Sequence, residues 1–564
     1  MRGVALGVAV VALGLYLTGL GTAPFLDPPE GVHAEAARQM GVGHDWITPR
    51  VNGVRYVDKP PLLYWLVSAT LALLGPTPFA ARLGPALAAV GVAAVTARLG
   101  VVLGGARVGF LAGLMVAANL GMFLDGRLVK PDVVFSLWLA LAFAGFTITY
   151  RGGGRRGLVL FYASLGLAAL TKGVLAALGP LVVVALFFWL TRERPLLPWI
   201  PWWGALLAVG IALPWYLAAE AGSRGFLWST LLHNHLLPFA RPRVFPDEDA
   251  PLSAAEFLVV TLLAFLPWAA ALPWALARGA RRPWEDATAR LWLLFALWGM
   301  LVIGFCAVSS FKQPQDAFPA FPALALLVAR AWDETIEGVP GSAQPRALLT
   351  PLLVLFVLVA GTFAAVGTGA IHVPPAALAI LDTTALGLDP WMPLVLRGAV
   401  LFAVASAALA VAVWRRSAAL GVGVALAATI AFLSAVAGEG MAQFARSSSV
   451  RPLAAVLAEL ARPGDLVVHE GALEHSASAL MRLPGPVHVV NGFGSGLAFG
   501  AGFPEARDTF WAPARLQAAW AAPGRHFLLS TVPPDRSIVG SLPAGSVRLL
   551  AESGGRWLYS NLAD

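Results

Sequence analysis

The lysines of this sequence are few, and most fall in a short stretch that also holds carboxylates. Asp27-Pro-Pro-Glu30 is followed by His33 and Glu35, and Tyr56-Val-Asp58-Lys59-Pro-Pro-Leu-Leu-Tyr64-Trp65 comes soon after. Asp125, Arg127, Lys130 and Asp132 form a second group, and Thr171-Lys172-Gly173 a third. Arg224, His233, His235, Arg241 and Asp247-Glu-Asp249 make a fourth, and Ser309-Ser-Phe-Lys312-Gln-Pro-Gln-Asp316 a fifth. A carboxylate can take the proton of a hydroxyl, and a lysine can hold a group that gains negative charge as a bond breaks. Each residue alone also has a plainer use. Lys59, Lys172 or Lys312 can snorkel, Asp132 can cap a helix, and the i, i+2 histidines give only a weak metal signal. Asp247-Glu-Asp249 reads as a solvated acidic run.

Membrane helices must position these groups. Hydrophobic residues make up 58% of the 564 and charged ones 12%, with a mean hydropathy of +0.74. Soluble chains carry about 25% charged residues, so most of this surface faces lipid. The 20 Trp suit the boundary between headgroups and hydrocarbon. Apolar stretches long enough to span fall near 4–21, 79–99, 106–124, 132–150, 157–170, 174–190, 200–219, 254–276, 291–308, 317–330, 347–369, 392–413 and 418–437. The expectation is thus a polytopic α-helical membrane protein of about thirteen spans, with the run after Arg2 an uncleaved first span.

Basic residues set the orientation. Arg98 with Arg107, Arg151-Gly-Gly-Gly-Arg155-Arg156, Arg192-Glu-Arg194, Arg278 through Arg290, and Arg415-Arg416 occupy alternate loops. A cytoplasmic N-terminus puts all of them inside, and all five chemistry-bearing stretches outside. Ionisable groups at membrane depth are costly unless they face protein or a wet cavity. Three lysines on one side, each beside a helix-ending Pro or Gly, therefore point to an anion with a lipid tail, such as a polyprenyl phosphate. The net charge of +8 is spread over short loops, which argues against a nucleic-acid partner. The single cysteine, Cys306, allows neither an intrachain disulfide nor a Cys-based zinc site.

Past residue 440 the composition changes. Leu466-Val-Val-His469, Val487-His-Val-Val490, His526-Phe-Leu-Leu529 and Ser546-Val-Arg-Leu-Leu550 read as short buried strands, with helical spacing over 450–462 and 512–521. The division expected is 1–440 in the membrane, with a first outer loop at 22–78, and 441–564 as an outer α/β domain. Gly492-Phe-Gly494-Ser-Gly496 lacks the spacing and lysine of a phosphate loop and reads as a turn.

The stretch from Glu30 to Tyr64 resembles the first outer loop of lipid-linked sugar transferases of the GT-C class, in the group of aminoarabinose–lipid A transferases and protein O-mannosyltransferases. Glu30 with Ala34-Glu-Ala-Ala-Arg38-Gln-Met40, His44-Asp-Trp46 to Pro49, Asn52-Gly53 and Lys59-Pro-Pro-Leu-Leu-Tyr-Trp65 carry the likeness. Arg82-Leu, Asp132, Leu170-Thr-Lys172-Gly173, Leu213-Pro-Trp-Tyr216, Leu266-Pro-Trp268 and Ser310-Phe-Lys312-Gln-Pro314 through Phe318-Pro319 extend it to about residue 330. The chain departs from that pattern at Pro29, where an acid is usual, with Asp27 two places upstream. It departs again at His33 and Asp316, where aromatics are usual.

The resemblance implies a bacterial inner-membrane enzyme with a periplasmic C-terminal domain. It would move a sugar, with inversion, from a polyprenyl-phosphate donor to lipid A, another glycan or a protein. On this reading Asp27 or Glu30 acts as the base, with Asp132 also in the catalytic group. Lys59, Arg82, Arg127, Lys172 and Lys312 hold the phosphate. His33, Asp58, Tyr64, His233 and Asp316, with Asp132 beside them, line the sugar or acceptor pocket. A divalent metal is the other way to offset the phosphate charge, and no cofactor besides it is expected. A non-catalytic translocator of lipid-linked sugar or a membrane scaffold would use the same lysines without an acidic base. A secondary transporter would show inverted repeats, and the sequence has none.

Overall fold

The computed structural model describes residues 2–194, 197–230, 252–280, 284–373, 387–483, 485–493, 496–543 and 545–562. His233, His235, Arg241 and the Asp247–Asp249 run lie outside them. Every stretch expected to span is helical, but the helices are not all of spanning length. Among the described residues eight are long and apolar enough to cross a membrane, or up to nine if the bent pair Ala254–Ala264 and Trp268–Ala280 is one span. The other expected stretches are helical but shorter or more polar than that measure requires. The first and third stretches form the shorter apolar helices α1 (Arg2–Leu17) and α5 (Ala106–Ala117). Those at 157–170 and 317–330 lie in helices that carry charges at their ends, Arg155–Lys172 and Phe321–Glu337.

Small residues let the helices approach closely, which is how apolar helices associate where lipid gives no hydrophobic drive. A Cβ on Gly100 of α4 (Pro78–Gly104) would fall 2.7 Å from Cα of Gly109 on α5, so only glycine permits that contact. Helix starts follow the local sequence. The Thr77 side chain accepts from the Ala80 N–H and Pro78 opens α4, and Pro131 opens α7 (Pro131–Ile148) just after Lys130.

The loops separate into two ends. At one end Arg151 bonds the Val102 carbonyl, Arg290 pairs with Glu193 at 2.6 Å, and Arg107 pairs with Asp333 at 3.2 Å. The other end holds the first long loop. There α2 (Gly31–Gly43), a hairpin of β1 (Arg50–Val51) and β2 (Val54–Arg55), and α3 (Leu62–Leu74) lie under the C-terminal domain.

The last span runs on as helix to Ser448, past the boundary expected at 440. Six strands follow: β3 (Leu466–Glu470), β4 (His488–Val490), β5 (Phe510–Trp511), β6 (His526–Ser530), β7 (Arg548–Ser553) and β8 (Arg556–Ser560). Their order is β5-β4-β3-β6-β8-β7, with the first four parallel and β8 and β7 antiparallel to their neighbours. Leu466 pairs with His526 and His469 with Leu529. Every residue of β6 is buried because both faces are covered. Phe527 and Leu529 pack with Leu453 and Leu457 on one side, while Leu528 packs with Leu516 and Trp520 on the other.

Candidate functional site

Two of the charges expected to act on substrate instead hold the first loop together. Glu30 is fully buried and faces Arg82, also buried, of α4. Arg82 Nε donates to Glu30 Oε2 at 3.0 Å and its Nη2 to Oε1; the remaining N–H groups go to the carbonyls of Leu20 (2.9 Å), Ala23 (2.7 Å) and Pro24 (2.7 Å). All five guanidinium donors are occupied. Glu30 also accepts from the N–H groups of Leu26 (2.8 Å) and Val129 (3.2 Å). A carboxylate so enclosed has no face for a hydroxyl, and the arginine has no donor left for a phosphate. The readings of Glu30 as base and Arg82 as phosphate ligand are corrected.

Arg127 is corrected likewise. It is buried, and it bonds the carbonyls of Leu15, Tyr16 and Thr18 at the end of α1, and that of Ala437. The planar fork suits such a cluster of orphan helix carbonyls. Lys312 is buried and donates to the Ser309 carbonyl at 2.6 Å. It caps the end of helix Ala287–Val308, where a cation is favoured.

Asp27 fastens the C-terminal domain. Its carboxylate accepts from the Ser478 N–H (3.0 Å), the Ser478 hydroxyl (2.5 Å) and the Val450 N–H (3.4 Å), while Arg556 donates to its carbonyl at 3.0 Å. Asn52 adds a two-way bond with Val487, at 2.7 and 2.9 Å. Asp27 therefore cannot serve as the base either. Burial pushes its carboxyl up to about 6 despite the Ser478 bonds. A folded-state value above the unfolded one means that the protonated form favours the fold, and this contribution is lost as pH rises through about 6. The stability of wild type relative to Asp27→Asn should therefore fall as pH rises from about 4 to about 7, read as the difference in Tm. A flat difference would overturn this assignment.

The remaining residues do converge. Lys172, ending α8 (Arg155–Lys172), pairs with Asp132 at 2.5 Å and Asp316 at 2.8 Å. Three segments distant in sequence meet at that ammonium. Lys130 lies 3.8 Å from Asp125, and Lys59 3.0 Å from Asp58. The charges of Lys172, Lys130 and Lys59 all act on Asp132. His33 Nδ1 is 3.2 Å from the Tyr64 hydroxyl, and the Tyr56 ring lies edge-on to His33 at 6.1 Å. Burial lowers His33 to about 4, against the pull of Asp58, so it is neutral at ordinary pH.

The cluster thus runs from Tyr56, His33 and Tyr64 through Asp58 and Lys59 to Lys130, Asp132, Lys172 and Asp316. Lys59 has the most open side chain of the three lysines, at 32% exposure. The sequence reading gave no role to Lys130 or Asp125. The position of Lys130, directly before a helix-opening Pro131 and Asp132, was the signal that could have found it. Among the described residues, no three His, Cys, Asp or Glu side chains are grouped to hold a metal ion; here the carboxylates meet lysines instead.

The family model for dolichyl-phosphate-mannose-protein mannosyltransferase matches residues 32–228. An undecaprenyl phosphate-alpha-4-amino-4-deoxy-L-arabinose arabinosyl transferase of Pseudomonas paraeruginosa is 30% identical over 334 residues, covering 57% of this chain and 58% of the relative. A transferase of the same name from Aeromonas salmonicida is 31% identical over 353 residues, covering 61% and 62%. The chain thus spans about three-fifths of the length of the curated relatives it matches. The crystal structure of ArnT from Cupriavidus metallidurans bound to undecaprenyl phosphate superimposes with a TM-score of 0.81 at 22% identity, covering 100% of this chain and 99% of that one. Its apo form gives 0.80. From the first span to the last strand, the chain is a multi-pass membrane protein with the GT-C fold of ArnT.

Proposed function

We propose that this protein transfers a sugar from a polyprenyl-phosphate donor to an acceptor on the side of the C-terminal domain. The observation that carries the reading is the meeting of Lys59, Lys130 and Lys172 with Asp58, Asp132 and Asp316 at one end of a membrane bundle. The names of the curated relatives and the lipid bound to ArnT support the donor class. In this reading the basic end faces the cytoplasm, the N-terminus lies inside, and the C-terminal domain stands in the periplasm of a bacterial inner membrane. Lipid A, another glycan or a protein would be the acceptor.

The donor enters from the lipid plane with its phosphate against Lys59 and Lys130. Lys172 keeps Asp132 and Asp316 aligned to accept hydrogen bonds from the sugar, while His33, Tyr56 and Tyr64 wall the recess. Asp58 replaces Asp27 and Glu30 as the proton acceptor. The Asp58 carboxylate, beside Lys59, takes the acceptor's O–H proton. The acceptor oxygen bonds the anomeric carbon as the bond from that carbon to the phosphate oxygen breaks, and the configuration inverts. Polyprenyl phosphate departs with its new charge held by the lysines. Four carboxylates, counting Asp125, face three lysines. An amino sugar, as in the relatives' names, would meet that excess.

Purified protein in nanodiscs, given polyprenyl-phosphate sugars, should release the carrier when acceptor is present. Lys59→Ala should cut that release by ~10²–10³-fold, the scale of losing one donor to a developing oxyanion, with an unchanged Tm. Wild-type release in that variant would refute the site.

A further inference from the structure

The loop between α2 and the hairpin is rigid yet turns apolar side chains outward. Asp45 Oδ1 accepts from the N–H groups of Ile47 (3.1 Å) and Thr48 (2.9 Å). Two indoles satisfy its carbonyls: Trp65 Nε1 donates to Trp46 at 2.8 Å, and Trp215 Nε1 donates to Ile47 at 3.0 Å. These bonds satisfy the carbonyls of Trp46 and Ile47 and the N–H groups of Ile47 and Thr48 without water, which lowers the cost of bringing this stretch to the lipid boundary. Val42, at the end of α2, is 70% exposed, Trp46 44% and Ile47 40%, with His44 also exposed between them.

The spanning helix Trp202–Gly222 gives the depth of this loop. Arg55 bonds the Gly222 carbonyl and the Ser223 hydroxyl, so that helix end lies on the side of the first loop. Thr48 is at the same level, since a Cβ on Gly222 would fall 3.8 Å from its hydroxyl. One residue earlier, the Ile47 carbonyl accepts from the indole of Trp215, a residue of the same helix. The loop therefore packs against the last two turns of a spanning helix, at the edge of the hydrocarbon. Leu213 and Leu217 on the same stretch of that helix are also exposed, at 44% and 54%, as lipid-facing residues must be.

We infer that Val42, Trp46 and Ile47 form a wedge that inserts into the leaflet on the candidate site's side, packing against lipid acyl chains. An indole at that boundary and two aliphatic side chains below the headgroups match the preferences of the interface. The wedge lies just before the hairpin that leads to Tyr56 and Lys59, so its insertion fixes the height of Lys59 relative to lipid phosphates. The inference stands on spanning geometry and is independent of the transfer reaction.

A nitroxide at Ile47→Cys, in the full chain carrying Cys306→Ser and held in phosphatidylethanolamine–phosphatidylglycerol nanodiscs, tests it. Power saturation would compare collisions with oxygen and with a water-soluble nickel chelate. Val404→Cys, on the spanning helix Asp389–Trp414 and 65% exposed, is the lipid reference; Arg507→Cys, exposed on the C-terminal domain, is the aqueous one. The Ile47 label should shift toward the Val404 value. A value matching Arg507 would overturn the inference. Val42→Cys reads the same two outcomes should Ile47→Cys not fold.

Discussion

Arg82→Met is expected to cost the protein its fold rather than only its chemistry. The substitution leaves Glu30 charged and enclosed, and strips hydrogen bonds from the carbonyls of Leu20, Ala23 and Pro24. Removing one partner of a buried pair costs ~3–5 kcal/mol because the other charge stays behind. With both side chains at or below 1% exposure, solvent offers no relief. The Tm in detergent or nanodiscs should drop sharply, with aggregation on size exclusion. Glu30→Gln combined with Arg82→Met should recover much of that loss, since no uncompensated charge remains. If Arg82→Met kept the wild-type Tm and lost only transfer, the original reading of Arg82 as a phosphate ligand would return.

Lys172→Met is expected to lower transfer on the same scale as Lys59→Ala, by a different route. Asp132 and Asp316 would face each other without the ammonium between them, with Asp125 nearby and also acted on by both. Like charges at that spacing drive the side chains apart or make them take up protons. Either response spoils the alignment that the sugar needs. A loss of ~10²-fold or more in transfer is expected, the scale of a misplaced positioning group. Adding Asp132→Asn should restore thermal stability by removing one uncompensated charge, yet leave transfer low. Near wild-type carrier release in Lys172→Met would show that the triad is merely structural.

These contrasts separate charges that the sequence alone treats alike. Glu30 and Asp58 are both acidic residues of the first long loop. Arg127 and Lys130 stand in one turn, yet Arg127 goes to the end of α1 and Lys130 to the recess. Five donors in a flat fork suit a set of buried carbonyls, whereas a point charge on a flexible stem suits a phosphate. That difference was available from residue type. The docking of Asp27 on Ser478 was not, because it joins residues 451 positions apart.

The sequence by itself determined the membrane class, the position of nearly every helix, and the gathering of Lys59, Asp132, Lys172 and Asp316 at one end of the bundle. Apolar length and alternating basic loops carry that placement, since both are read along the chain without knowledge of contacts. It also marked four short apolar runs of the last domain as strands, but not that β3, β4, β5 and β6 run parallel. Only the tertiary structure decided which ends reach across as full spans and which charges turn inward to hold loops. It alone showed the C-terminal domain fastened over the first loop. Side-chain direction depends on helix phase and on contacts between distant segments, and hydropathy and spacing carry no record of either.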